Sequence, residues 1–208
     1  MADFGFVGPS YEAPSIYQDA QELINFYPEI DPLKQGQRGV IALYPTPGYT
    51  LTNQLAYGEV RGMRALSGGQ WAIIVSGSRV YSLNLLGVAT QVGTLTTSSG
   101  YVGITDNQTT NNGLTAYIVD GVNRYTWIAA TNTFAKLAAS DGPWQGASVC
   151  DVVDNYYVYN EPNTQNWAVS NLGLSTSPAQ YGSKDGSPDN LVSIIVDHRQ
   201  VYLLGENT

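Results

Sequence analysis

Four segments of the chain resemble one another, and that repetition constrains the fold more than any single motif. They run from Trp71 to Tyr81, Ala116 to Tyr125, Cys150 to Tyr159 and Ser193 to Tyr202, each an apolar strand ending in Val, a polar turn, and a second strand carrying Tyr. The Val positions (Val75, Val119, Val153, Val196) are spaced by 44, 34 and 43 residues, and the matching tyrosines (Tyr81, Tyr125, Tyr159, Tyr202) keep the same intervals. Hairpin units repeating at roughly 40 to 50 residues are the mark of β-propeller blades of four strands each. Flanking segments supply the missing strands twice in succession: 62–66 and 88–95 around the first hairpin, 101–105 and 133–137 around the second. Residues 176–190, with two glycines and two prolines, read as a surface loop.

A lone four-stranded blade cannot bury both faces, so blades must stack, and Val, Ile, Leu and Tyr would fill the gaps between them. A double-sheet sandwich is the alternative, but it does not require strand groups to resemble one another at a fixed period. The expected fold is therefore all-β, with about four propeller blades over 57–208. The hairpin that ends near Tyr202 has no outer strands after it. The sequence thus reads as an open ring, either the N-terminal part of a longer polypeptide or one whose last blade another segment completes.

Residues 1–56 differ. Six of the ten prolines fall there, which repeatedly denies the chain regular pairing, and the segment reads as an extended N-terminal arm. Ser15 with Gln18 fits a capping box, and Ile16, Ala20, Leu23 and Ile24 have helical spacing. Leu23 to Pro28 reads equally well as a strand, and Val40 to Tyr44 as a strand ending in a Pro-rich turn.

Composition narrows the function. Only 12% of residues are charged, well under the share of about 25% common in soluble domains, while Tyr numbers 15 and Gly 22. A formal charge of −8 argues against a protein that grips nucleic acid through phosphate neutralisation. The single Cys150 excludes an internal disulfide framework, points to folding in a reducing cytoplasm, and reads as a small apolar strand residue. No secretion signal and no membrane-spanning apolar run is legible.

The inventory for catalysis is thin. His198 is the one histidine, placed in a hairpin turn, and without a second His it cannot anchor a common zinc site. Asp120, Asp154 and Asp197 occupy equivalent turns in successive hairpin segments and would share one rim, the arrangement a propeller glycosidase needs, although turn chemistry explains Asp there equally well. Asp185, Asp189 and Asn190 offer oxygen ligands for Ca²⁺ but lack the alternating ligand loop. Trp71, Trp127, Trp144 and Trp167 read mostly as blade core, and any exposed ones would suit sugar stacking or a protein interface. No catalytic, cofactor-binding or metal residue is assigned.

Three stretches carry a family resemblance: Gln21-Glu-Leu-Ile-Asn25-Phe-Tyr-Pro-Glu29, Ala42-Leu-Tyr-Pro-Thr-Pro-Gly-Tyr49, and Arg61-Gly-Met-Arg64. Together they resemble the packaged-DNA stabilisation proteins of short-tailed phages, also called tail nozzle, tail accessory or tail hub proteins. The final Leu203-Leu-Gly-Glu-Asn-Thr208 is similar to a place where those longer proteins continue with further strands. The resemblance implies a virion protein, assembled in the host cytoplasm into a homohexameric tail tube beneath the portal and adaptor ring. Such a tube retains packaged DNA, carries the tail needle and tailspikes, and conducts the genome without reading its sequence. The competing readings are a carbohydrate-binding propeller and a propeller glycosidase.

Overall fold

The computed structural model describes residues 23–30, 41–55 and 57–207. It divides into two compact units that meet between Leu51 and Thr52. In the first, strands β1 (Phe26–Ile30) and β2 (Ile41–Pro45) form an antiparallel pair. Tyr27 lies opposite Tyr44 with the rings stacked at 5.9 Å, the cross-strand aromatic contact that steadies a narrow ribbon. The helix allowed by Ser15 and Gln18 falls largely outside the described residues; Leu23 to Asn25 are not helical.

The second unit is a succession of antiparallel sheets. Blade 1 holds β3 (Val60–Ala65), β4 (Trp71–Ser76), β5 (Arg79–Asn84) and β6 (Ala89–Thr94), paired in that order. Blade 2 holds β7 (Gly103–Thr110), β8 (Gly113–Val119), β9 (Arg124–Ile128) and β10 (Thr133–Lys136). Blade 3 holds β11 (Cys150–Val153), β12 (Tyr156–Asn160), β13 (Asn166–Val169) and the two-residue β14 (Gly182–Ser183), so the surface loop expected at 176–190 contains a short fourth strand. Strands β15 (Leu191–Asp197) and β16 (Gln200–Gly205) pair as a two-stranded sheet, counted as blade 4.

The blades repeat more regularly than the sequence text. Second strands begin at 71, 113, 156 and 200, intervals of 42, 43 and 44 residues. The odd 34-residue interval is a phase slip of one strand. Val75 and Val119 close second strands, whereas Val153 and Val196 lie at the ends of first strands.

Alternation along each strand builds the core between blades. In β8, Ala116 and Ile118 pack towards blade 1 with Ile73, Val75, Val80 and Trp127. Tyr117 and Val119 point the other way, to Tyr157, Tyr159 and Ala168 of blade 3. In β12 the pattern recurs, with Val158 facing Leu191 and Ile194 of blade 4. Each middle sheet is therefore apolar on both faces, and the first strands of neighbouring blades run beside one another, β3 by β7, β7 by β11 and β11 by β15. Tyr57 and Gly58 lie on the face of blade 1 that points away from blade 2. There Ser76 Oγ donates to the carbonyls of Tyr57 (2.7 Å) and Gly58 (3.0 Å), and Arg79 lies 3.7 Å over the Tyr57 ring.

Candidate functional site

Every seam between blades carries a buried polar hub, and these hubs are the molecule's distinctive chemistry. At the first seam Arg61, on β3 and 6% exposed, donates to the carbonyls of Gly77, Thr97, Ser99 and Gly100 and to Thr97 Oγ1 at 2.6–2.9 Å. Thr97 Oγ1 in turn donates to Asp120 Oδ2 at 2.8 Å, which links the guanidinium to a carboxylate of blade 2. Asp120 also accepts from the backbone N–H groups of Val122 and Asn123 and from Tyr125 Oη. Such saturation is what a buried charge requires.

At the second seam Arg124, fully buried at the start of β9, donates to the carbonyls of Trp144 (2.9 Å) and Gln145 (3.2 Å) and to Tyr117 Oη (3.2 Å), and lies 4.6 Å from the centre of the Tyr159 ring. A Cβ at Gly142 would come within 2.8 Å of both terminal guanidinium nitrogens, so glycine lets the loop close over them. Burial raises the phenol pKa of Tyr117, Tyr157 and Tyr159 above the ordinary 10.0, with Arg124 pulling back on Tyr117 and Tyr159. At the third seam buried Asn160 accepts from the Ser148 and Val149 N–H groups and donates to the Leu191 carbonyl, while Asp151 accepts from Val196 N–H at 2.8 Å.

The residues considered for catalysis do not converge. Asp120 sits in the turn between second and third strands, while Asp154 sits in a turn between first and second strands and Asp197 ends the first strand before such a turn, at the opposite ends of their blades. The shared rim expected of the three carboxylates is thereby overturned, and the one-strand phase slip is the reason. Asp154 is held by Arg199 at 2.9 Å, and Asp197 contacts exposed His198 Nδ1 at 2.8 Å. Asp189 is engaged by Lys184 and by the Asn207 N–H. Among the described residues, no group of three or more His, Cys, Asp or Glu is placed to hold a metal ion. Cys150 opens β11 with its Sγ 3.9 Å from the Tyr117 carbonyl, and burial pushes its thiol pKa up, so it is a poor nucleophile.

The tryptophans divide. Trp127 is core, and Trp71 packs edge-on against it at 5.7 Å. Trp167 borders a cleft of about 220 Å³ with Pro178, Gln180 and exposed Tyr181. Asp106, Asp151 and Asn160 were not legible as hubs, although Asp within an apolar strand is unfavourable unless it is bonded. Asp106 accepts from Ser67 N–H of blade 1 at 2.9 Å.

With the blades and seams established, the comparisons bear on what the molecule is. A family model described as bacteriophage P22 Gp10, beta-propeller, matches residues 17–208. The chain belongs to this phage-stabilisation family. Its fold is accordingly an all-β propeller array, and its relatives are structural proteins of the virion. A search of curated proteins returns no match. Solved structures similar to this chain include the N-terminal domain of Nup159, at 15% identity and TM-score 0.44, covering 68% of this chain and 37% of that one. A Saccharomyces cerevisiae complex of Dbp5 with Nup159 gives 14%, 0.44, 74% and 37%. Kluyveromyces lactis Hsv2 gives 13%, 0.33, 71% and 56%. The family member thus spans about a third of the Nup159 chains it matches.

Proposed function

We propose that the chain is a subunit of the phage tail nozzle, a homohexameric tube below the portal and adaptor ring that retains packaged DNA and conducts it during ejection. Family membership over residues 17–208 is the observation that carries this reading. The seams fit a mechanical part. Their hubs join carbonyls, guanidinium groups and carboxylates of successive blades, a construction that resists shear without any moving element. A net charge of −8 suits a conduit, since acidic walls repel phosphates and keep the strand from adhering. Tail needle and tailspikes would attach to the outer surface of the tube, and the Pro-rich arm would brace a neighbouring subunit.

The decisive experiment is depletion in a productive infection. Particles assembled without the protein should fill and then lose their genomes, leaving DNase-sensitive DNA, and native mass spectrometry of the complemented tail should show six copies. Full genome retention without the protein would end the nozzle reading. The Trp167 and Tyr181 cleft favours a second reading, sugar binding. Glycan-dependent quenching of tryptophan fluorescence, lost in Trp167→Ala, would support it.

A further inference from the structure

The first two seams are each built around an arginine, and the two are satisfied to different degrees. A guanidinium carries five N–H donors. Arg61 uses all five, on four carbonyls and the Thr97 hydroxyl, and reaches the Asp120 carboxylate through Thr97. Arg124 uses three, on the Trp144 and Gln145 carbonyls and on Tyr117 Oη. It is fully buried, yet among the described residues no carboxylate pairs with it. Its remaining neighbour, the Tyr159 ring at 4.6 Å, offers a π face and no lone pair. Beside it, Tyr159 Oη and Ser177 Oγ are buried without a hydrogen-bond partner, in residues 0% and 8% exposed. These groups converge. The point that a Gly142 Cβ would occupy lies 2.6 Å from Tyr159 Oη and 2.8 Å from each terminal nitrogen of Arg124. Ser177 is tied to the same loop by its N–H, which donates to the Asp141 carbonyl at 2.9 Å.

We propose that the second seam binds a halide ion beside Gly142, held by the two unused N–H groups of Arg124 and by the hydroxyls of Tyr159 and Ser177. The hub presents two N–H and two O–H hydrogens with no acceptor to receive them. A water molecule accepts two hydrogen bonds and adds two donors of its own, so it leaves the count short. An anion accepts all four, and it supplies the negative charge that Asp120 supplies at the first seam. Enclosure selects a small monatomic ion. Neither Arg124 nor Tyr159 has a solvent-facing side, and a phosphate or a free carboxylate would need more room and a costlier desolvation. Glycine at 142 is part of the site. Its extended backbone suits any residue, but a side chain there would press on the donors the ion needs. The site belongs to the seam and is independent of the nozzle reading.

Crystals of the protein grown in sodium bromide test the site directly. The expected result is an anomalous bromide peak in contact with Arg124 Nη1 and Nη2, Tyr159 Oη and Ser177 Oγ; a water or a side-chain carboxylate in that position would overturn the proposal. Thermal melting gives a second readout, on protein refolded from denaturant without halide. Raising chloride at constant ionic strength, with methanesulfonate as the balancing anion, should raise Tm by about 3–5 °C for each tenfold above the Kd. Tyr159→Phe separates the two cases. Removing a buried hydroxyl that has no partner leaves a protein as stable or more so, whereas removing one that holds the ion lowers Tm in chloride and flattens the chloride response. A flat response in the unaltered protein, or a Tyr159→Phe variant at least as stable as it in chloride, would equally overturn the halide site.

Discussion

Arg61 is held by four carbonyls and one hydroxyl, and among the described residues its route to a carboxylate runs through Thr97 to Asp120. Removing the guanidinium leaves those acceptors buried, which costs more than the bonds themselves were worth. Arg61→Met should therefore lower stability by about 3 kcal/mol in urea denaturation, and a loss near zero would show that water replaces the guanidinium. The tyrosines of the second seam set an alkaline limit. Their folded-state pKa values lie above the 10.0 of an exposed phenol, so the unfolded chain releases protons first as pH passes that value. Stability should be level up to about pH 10 and fall steeply above it. Absorbance at 295 nm, followed together with thermal melting, should show a late tyrosine phase coincident with unfolding. Early ionisation of every tyrosine without loss of melting temperature would contradict this.

At the scale of the element, the close approach of β3 to blade 2 depends on Gly62, where an added Cβ would lie 2.5 Å from the Val102 carbonyl oxygen. Gly62→Ala should cost about 2 kcal/mol through displacement of the strand. Gly113→Ala, in open space but at φ +76°, should cost about 1 kcal/mol from backbone strain alone. Chemical denaturation of the two variants checks that order. The hairpins themselves were legible in the sequence because Val-rich runs, turn residues and Tyr-bearing strands are local signals, and the flanking strands at 62–66 and 133–137 were found the same way. The phase was not legible, since an apolar strand, a turn and a tyrosine strand look alike whether they are strands one and two or two and three. The hubs were hidden for another reason. Arg61 meets Ser99, Asp151 meets Val196, and Asp106 meets Ser67, partnerships formed only once blades stack.

For the propeller unit, stability should follow the stacking. Blade 2 is covered on both faces by neighbouring blades, and its β8 is buried between two strands, whereas β6 and β10 are outer strands of their sheets with mostly unburied side chains. In arrays of this kind local stability is close to a sum of nearest-neighbour contacts. Native-state hydrogen exchange should accordingly show β8 more protected than the outer strands β6 and β10, and equal protection across them would mean that the array unfolds as one block. The Tyr57–Gly58 segment bears on how such an array is made. It precedes blade 1 in the chain and lies on that blade's outer face, so it leaves the ribosome before the sheet it seals. The first blade can then be finished at one side before the second is synthesised, and each new sheet needs to find only the surface made just before it. Assembly on the ribosome can run in one direction, with a single sticky face at any moment.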